Sequence, residues 1–200
     1  MERQQEINEI IIPEYCGEIL HGDFSGELKK KVRECITVFQ AFEKTGVPSI
    51  LYIAAWKDEE KTIWYEYVSN RFLGIMQCKR NEVAAVFRKS IVDLREYKYP
   101  GLDGGVYKET LHQQDMNSAR EELRAKTQKT GINEAVYKIA LPKGRIMWVK
   151  DQARVEKYRL DRTSISLGCL TIVTKEMVLQ EKCENLVAGF KNAMDEAKNP

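Results

Sequence analysis

Residues 148–177 read W-V-K-D-Q-A-R-V-E-K-Y-R-L-D-R-T-S-I-S-L-G-C-L-T-I-V-T-K-E-M, and two different periods meet inside them. Over residues 146–158 the odd positions Met147, Val149, Ala153 and Val155 are apolar, while Lys150, Gln152, Arg154 and Glu156 hold even ones. A period of two with one dry side predicts a strand. Residues 164–173 repeat the alternation, with Ile165, Leu167 and Cys169 on one side and Ser164, Ser166 and Gly168 on the other. Beyond Thr174 the spacing lengthens: Leu179, Cys183, Leu186, Phe190, Ala193 and Ala197 recur at 4, 3, 4, 3, 4, a helical seam that one helix cannot cover alone. Upstream, residues 133–141 predict a further strand, joined to the next by Pro142, Lys143 and Gly144. Three strands thus run straight into one long helix, an order in which a sheet that grips the helix passes a change onward.

Working back toward the N-terminus, residues 50–57 and 62–68 predict two more strands across a charged turn, followed by short helices at 69–76 and 80–91. Pro100, Gly101, Asp103, Gly104 and Gly105 fall between residues 97 and 110, which predicts a surface loop or an insertion beside a cavity. Asp115 is a cap for a helix striped by Met116, Ala119, Leu123 and Thr127 and ended by Gly131. The expected fold is α+β, a five-stranded antiparallel sheet flanked by short helices, with an amphipathic helix at each end. Its divisions are an N-terminal arm at 1–24, loosely attached, an N-terminal helix at 25–46, a domain at 48–174 and a C-terminal helix at 175–200. In the N-terminal helix, Leu28, Val32, Cys35, Phe39 and Phe42 recur at 4, 3, 4, 3. That stripe suits a dimer seam and a face packed on the chain's own sheet equally well.

The order of these pieces resembles the PAS domain, a bacterial sensor module, over residues 48–198. Residues 148–177 are similar to the family's closing two strands and exit motif. Residues 111–131, L-H-Q-Q-D-M-N-S-A-R-E-E-L-R-A-K-T-Q-K-T-G, are similar to its His-Pro-x-Asp turn and the helix after it, and I-L-Y-I-A-A-W-K with T-I-W-Y-E-Y-V-S-N-R-F to its first two strands and next helix. Such domains usually end in Asp-Ile-Thr; here Thr174 is kept but Ile172 stands where the Asp would be, so the resemblance does not extend to a relay through that carboxylate. The resemblance implies a sensory or regulatory domain that binds and relays rather than catalyses. Tyr97, Met116, Tyr137, Met147 and Cys169 are then expected around a small, partly apolar ligand, and Trp148, Asp151, Ile172 and Thr174 along the relay. The uncovered seam of the C-terminal helix predicts a homodimer through that helix, the N-terminal helix or both, with Leu28, Val32, Phe39, Phe42, Leu179, Leu186 and Phe190 as seam residues; the resemblance implies an output domain of kinase, cyclase or chemotaxis type, in cis or in trans. The alternative is a ligand-free dimerisation adaptor.

Composition sets the outer bounds. Thirty-two Lys and Arg against 30 Asp and Glu leave a net charge of +2, which gives no electrostatic reason to expect nucleic acid. Five cysteines (Cys16, Cys35, Cys78, Cys169, Cys183) without a C-x-x-C indicate neither a disulfide framework nor a metal site, and fit a reducing cytoplasm. No apolar run approaches about 18 residues, so no membrane span is expected.

Nucleophile-elbow, zincin and phosphate-loop motifs are absent from the sequence. The cofactor is left open, with haem and flavin disfavoured. His112 reads as a loop residue sooner than as a haem ligand, and Asn70-Arg71-Phe72-Leu73 lacks the cysteine of the flavin-binding signature G-x-N-C-R-F-L-Q. Asp151 shares the apolar side of its strand, where a hydrogen-bonded carboxylate is the simpler reading and the acid or base of a small enzyme the bolder one.

Overall fold

The computed structural model describes residues 15–58, 60, 62–98, 107–111 and 116–198. The sheet has seven strands, two more than expected: β1 (Ile50–Lys57), β2 (Ile63–Val68), β3 (Ile91–Lys98), β4 (Tyr107–Leu111), β5 (Ile132–Ala140), β6 (Ile146–Tyr158) and β7 (Thr163–Ile172). They lie in the order β2-β1-β7-β6-β5-β3-β4, every neighbouring pair antiparallel. The five expected strands are thus contiguous. The expected loop is instead bracketed by an added hairpin, β3–β4, seated on the edge of β5; residues 99–106 lie outside the described set.

Among the described residues five α-helices accompany the sheet: α1 (Gly26–Lys44), α2 (Asn70–Met76), α3 (Val83–Ser90), α4 (Met116–Thr130) and α5 (Thr174–Lys198). Ser25 caps α1 by accepting from the Leu28 amide, and Asp161 in the β6–β7 turn accepts from both the amide and the hydroxyl of Ser25, which ties the start of α1 to the sheet. Ser69 caps α2 in the same way. Gly131, at φ +70°, ends α4 with its amide on the Thr127 carbonyl, a conformation that disfavours any residue with a Cβ.

Both faces of the sheet are covered. On the inner face Tyr52, Leu94, Tyr137, Val149 and Leu170 pack under α2, α3 and α4 with Phe72, Phe87 and Leu123. On the outer face Ile53, Ala55, Tyr67 and Ile165 pack under α1 through Leu28, Val32 and Ile36, each fully buried. A second outer patch of Val136 and Trp148 receives Met177 and Val173 at the start of α5. These placements decide the open reading of the N-terminal stripe: Leu28 and Val32 are spent on the chain's own sheet, and Phe39 packs there too, edge-on to Tyr67. The stripe that matters runs 28, 32, 36, because Ile36 rather than Cys35 completes the buried side. Phe42 stays 53% exposed.

The arm is also corrected where it is described, from residue 15 onward. A bulge in β2 inserts Glu66 between Tyr65 on the inner face and Tyr67 on the outer one. Glu66 is 3% exposed and accepts from the amides of Glu18 and Ile19, from Tyr15 Oη and from Trp64 Nε1. Ile19 is fully buried as a result. A Cβ on Gly17 would lie 2.3 Å from Glu66 Oε2, so only glycine lets the arm approach this carboxylate. Residues 1–14 lie outside the described set. Among the described residues, no helix is long and apolar enough to cross a membrane.

Candidate functional site

β6 carries two sites on opposite faces, three residues apart. Asp151 points into the inner face and Trp148 into the outer one, as strand alternation requires.

Asp151 is 6% exposed and accepts from Tyr52 Oη at 2.7 Å and from Asn133 Nδ2 at 2.8 Å. Among the described residues no cation pairs with it. Burial pushes its carboxyl up to about 7 from the ordinary 3.8, opposed by the hydrogen bonds from Tyr52 and Asn133. Burial also raises the phenols of Tyr52 and Tyr65, and the Asp151 charge raises them further. Tyr52 reaches Asp151 by crossing Gly168, its partner on β7: a Cβ there would lie 2.1 Å from the Tyr52 ring. From this cluster an edge-to-face aromatic chain runs Tyr52–Tyr65–Phe72–Phe87–Tyr137, with centroid spacings of 5.2 to 6.1 Å.

On the outer face only Val173 separates β7 from α5. The Trp148 amide donates to Thr174 Oγ1 at 3.0 Å, and the Trp148 carbonyl accepts from the Val173 amide at 2.9 Å. Above the Trp148 ring lie the Arg95 guanidinium, 4.3 Å from the centroid, and Lys138 Nζ at 5.1 Å. Glu181, two turns into α5, closes this stack by accepting from Arg95 Nη2 at 2.9 Å and lying 3.6 Å from Lys138 Nζ. The helix is therefore clasped to the sheet through Thr174, Met177 and Glu181. The seam of α5 is bare both within the span of the clasp and past it: Leu179 and Leu186 are each 62% exposed and Phe190 71%.

The expected ligand residues separate. Tyr137 and Met147 belong to the inner core as expected. Cys169 does not: it pairs with Leu51 and Gln152, and Leu51 packs on the outer face under α1. Its alternation with Ile165 and Leu167 was real, but the outer face is apolar too, so an apolar alternation does not say which face is inside. Small residues mark the inner side of β7, where Ser166 faces Ala54 and Gly168 makes room for the Tyr52 ring. The side chains of Tyr97 and Met116, with His112 and Asp115, lie outside the described residues.

Of the expected relay residues, Trp148 and Thr174 bond to each other, Ile172 pairs with Val149 beside the inner core, and Asp151 sits below them in the interior. Sequence reasoning missed Arg95, Lys138 and Glu181 on the outer face and Tyr52 and Asn133 on the inner one. One signal was available: Val173, Met177 and Glu181 recur at spacings of four, one side of a helix turn after turn.

No family model matches the chain, and no curated protein matches it. Among solved structures it is similar to a sensory box histidine kinase/response regulator from Burkholderia thailandensis (14% identity, 77% of this chain and 98% of that one, TM-score 0.46). It is also similar to a light-oxygen-voltage domain studied with a flavin analogue (14% identity, 74% and 96%, TM-score 0.43) and to an RNA-binding light-oxygen-voltage receptor (12% identity, 89% and 43%, TM-score 0.50). At these identities the likeness is one of fold: the chain has a PAS-like α+β fold.

Proposed function

We propose that the chain is a sensory relay domain. A small molecule or protein partner that prefers one packing of the inner face shifts β6, and β6 hands the shift to α5 at Trp148. The observation that carries this reading is that one strand bears Asp151 inward and the hydrogen-bonded root of α5 outward. Only the difference in the input's affinity for the two packings drives the change. The bare seam of α5 then pairs with the same seam of a second copy, making a homodimer that delivers the signal to an output unit of kinase, cyclase or chemotaxis type. The role is binding and relay rather than catalysis, and five free thiols support a cytoplasmic setting.

A specific observation favours the adaptor as second reading: the aromatic chain from Tyr52 to Tyr137 fills the inner core with the protein's own side chains. Native mass spectrometry of the purified full chain separates the two. A dimer that retains a small molecule supports the sensor. A dimer of bare polypeptide mass, unchanged after incubation with cell extract metabolites, favours the adaptor and overturns the small-molecule form of the reading.

A further inference from the structure

Arg95 is 6% exposed, yet its Nε and Nη1 make no hydrogen bond; nearby, the buried Oδ1 of Asp93 makes none either. The two residues share the outer face by ordinary strand alternation, and a bulge in β3 between Ile91 and Asp93 lets Ile91 as well as Leu94 face inward. Asp93 Oδ2 lies 3.5 Å from Arg95 Nε, too loosely placed for a hydrogen bond but inside ion-pair range. Glu181, from α5, holds Arg95 Nη2 at 2.9 Å. One buried cation thus faces two carboxylates, one fixed on its own strand and one delivered by the helix that the relay must move.

We propose that Arg95 exchanges partners: it holds Glu181 while α5 is docked and closes onto Asp93 when α5 lifts. Lifting α5 takes Glu181 from Arg95 and uncovers a guanidinium whose Nε and Nη1 are already without hydrogen bonds. A standby carboxylate within ion-pair range on the same strand gives that cation a charge-assisted partner in place of Glu181, which narrows the free-energy gap between the docked and released helix root. Lys138, also over the Trp148 ring and 3.6 Å from Glu181, keeps a looser hold on the helix carboxylate and makes redocking direct. Asp93 acts as a positioning residue for this exchange, and the inference rests on the reading of α5 as the output of the relay.

Amide hydrogen exchange in the full chain tests it, read at the amides of residues 177–183, with the amides of residues 146–158 as an internal control for intact folding. Glu181→Gln weakens the docked arrangement and speeds exchange at 177–183 about fivefold or more. Asp93→Asn removes the standby partner and slows exchange there by a similar factor, the opposite of what loss of an ordinary supporting ion pair does. If Asp93→Asn speeds exchange or leaves it unchanged while Glu181→Gln speeds it, the partner exchange is overturned and the relay stands. If Glu181→Gln itself changes nothing, the clasp and the relay reading both fall. Should Asp93→Asn unfold the control strand, the Arg95 Nε–Hε NMR signal in wild type and Glu181→Gln decides: a shift to a more strongly hydrogen-bonded position in Glu181→Gln supports the exchange, and an unchanged signal overturns it.

Discussion

At the scale of single residues, Asp151 gives the molecule a pH signature. In the unfolded chain its carboxyl ionises near the ordinary 3.8, whereas folded Asp151 keeps its proton up to about 7. Between those values the native state binds the extra proton, so this residue's contribution to stability is full below about pH 4, falls as pH rises, and is lost above about pH 7. The total is about 4 kcal/mol. Urea unfolding of wild type and Asp151→Asn from pH 4 to 8 checks this: the wild-type curve declines relative to the variant over that interval and runs parallel to it above about pH 7. Gly168 offers a second residue-level test. Adding one methyl in Gly168→Ala displaces the Tyr52 ring and with it the hydrogen bond to Asp151, costing about 1–3 kcal/mol in the same unfolding assay, the range for overpacked cores.

At the scale of elements, the two terminal helices share an amphipathic pattern but not a degree of burial. Leu28 in α1 is fully buried under the sheet, whereas Leu186 in α5 is 62% exposed. Leu28→Ala therefore lowers unfolding free energy by about 2–5 kcal/mol and leaves association unchanged. Leu186→Glu does the reverse, and sedimentation velocity detects the monomer it produces. Cys183 lies in the α5 seam and is exposed, so in a parallel pair mild oxidation of wild type gives a linked dimer on non-reducing gels. A monomeric wild type would refute the α5 pairing.

Across the whole molecule, the elements that alternation or caps announce were readable: β1, β2, β5, β6, β7 and the five helices fall within a few residues of expectation. β3 was not, because I-V-D-L-R-E-Y-K follows α3 with no turn residue between them and mixes charges into its outward positions. The same charges turn out to build the clasp. Arg95 and Glu181 are 86 residues apart, and nothing local to either sequence segment announces the partner. Likewise Cys169 was given the wrong face because burial on both sides of a sheet erases the usual link between apolar and inward.

The anchoring of α5 at one end only has a mechanical result. From Glu181 to Lys198 the helix extends about 26 Å, so a tilt of about 10° at its root swings the far end sideways by about 4–5 Å. That displacement lies across the helix axis, so in the proposed α5 pair it alters the splay of the far ends and not their axial register. A tilt that leaves the sheet nearly undisturbed is thus magnified toward the end of α5.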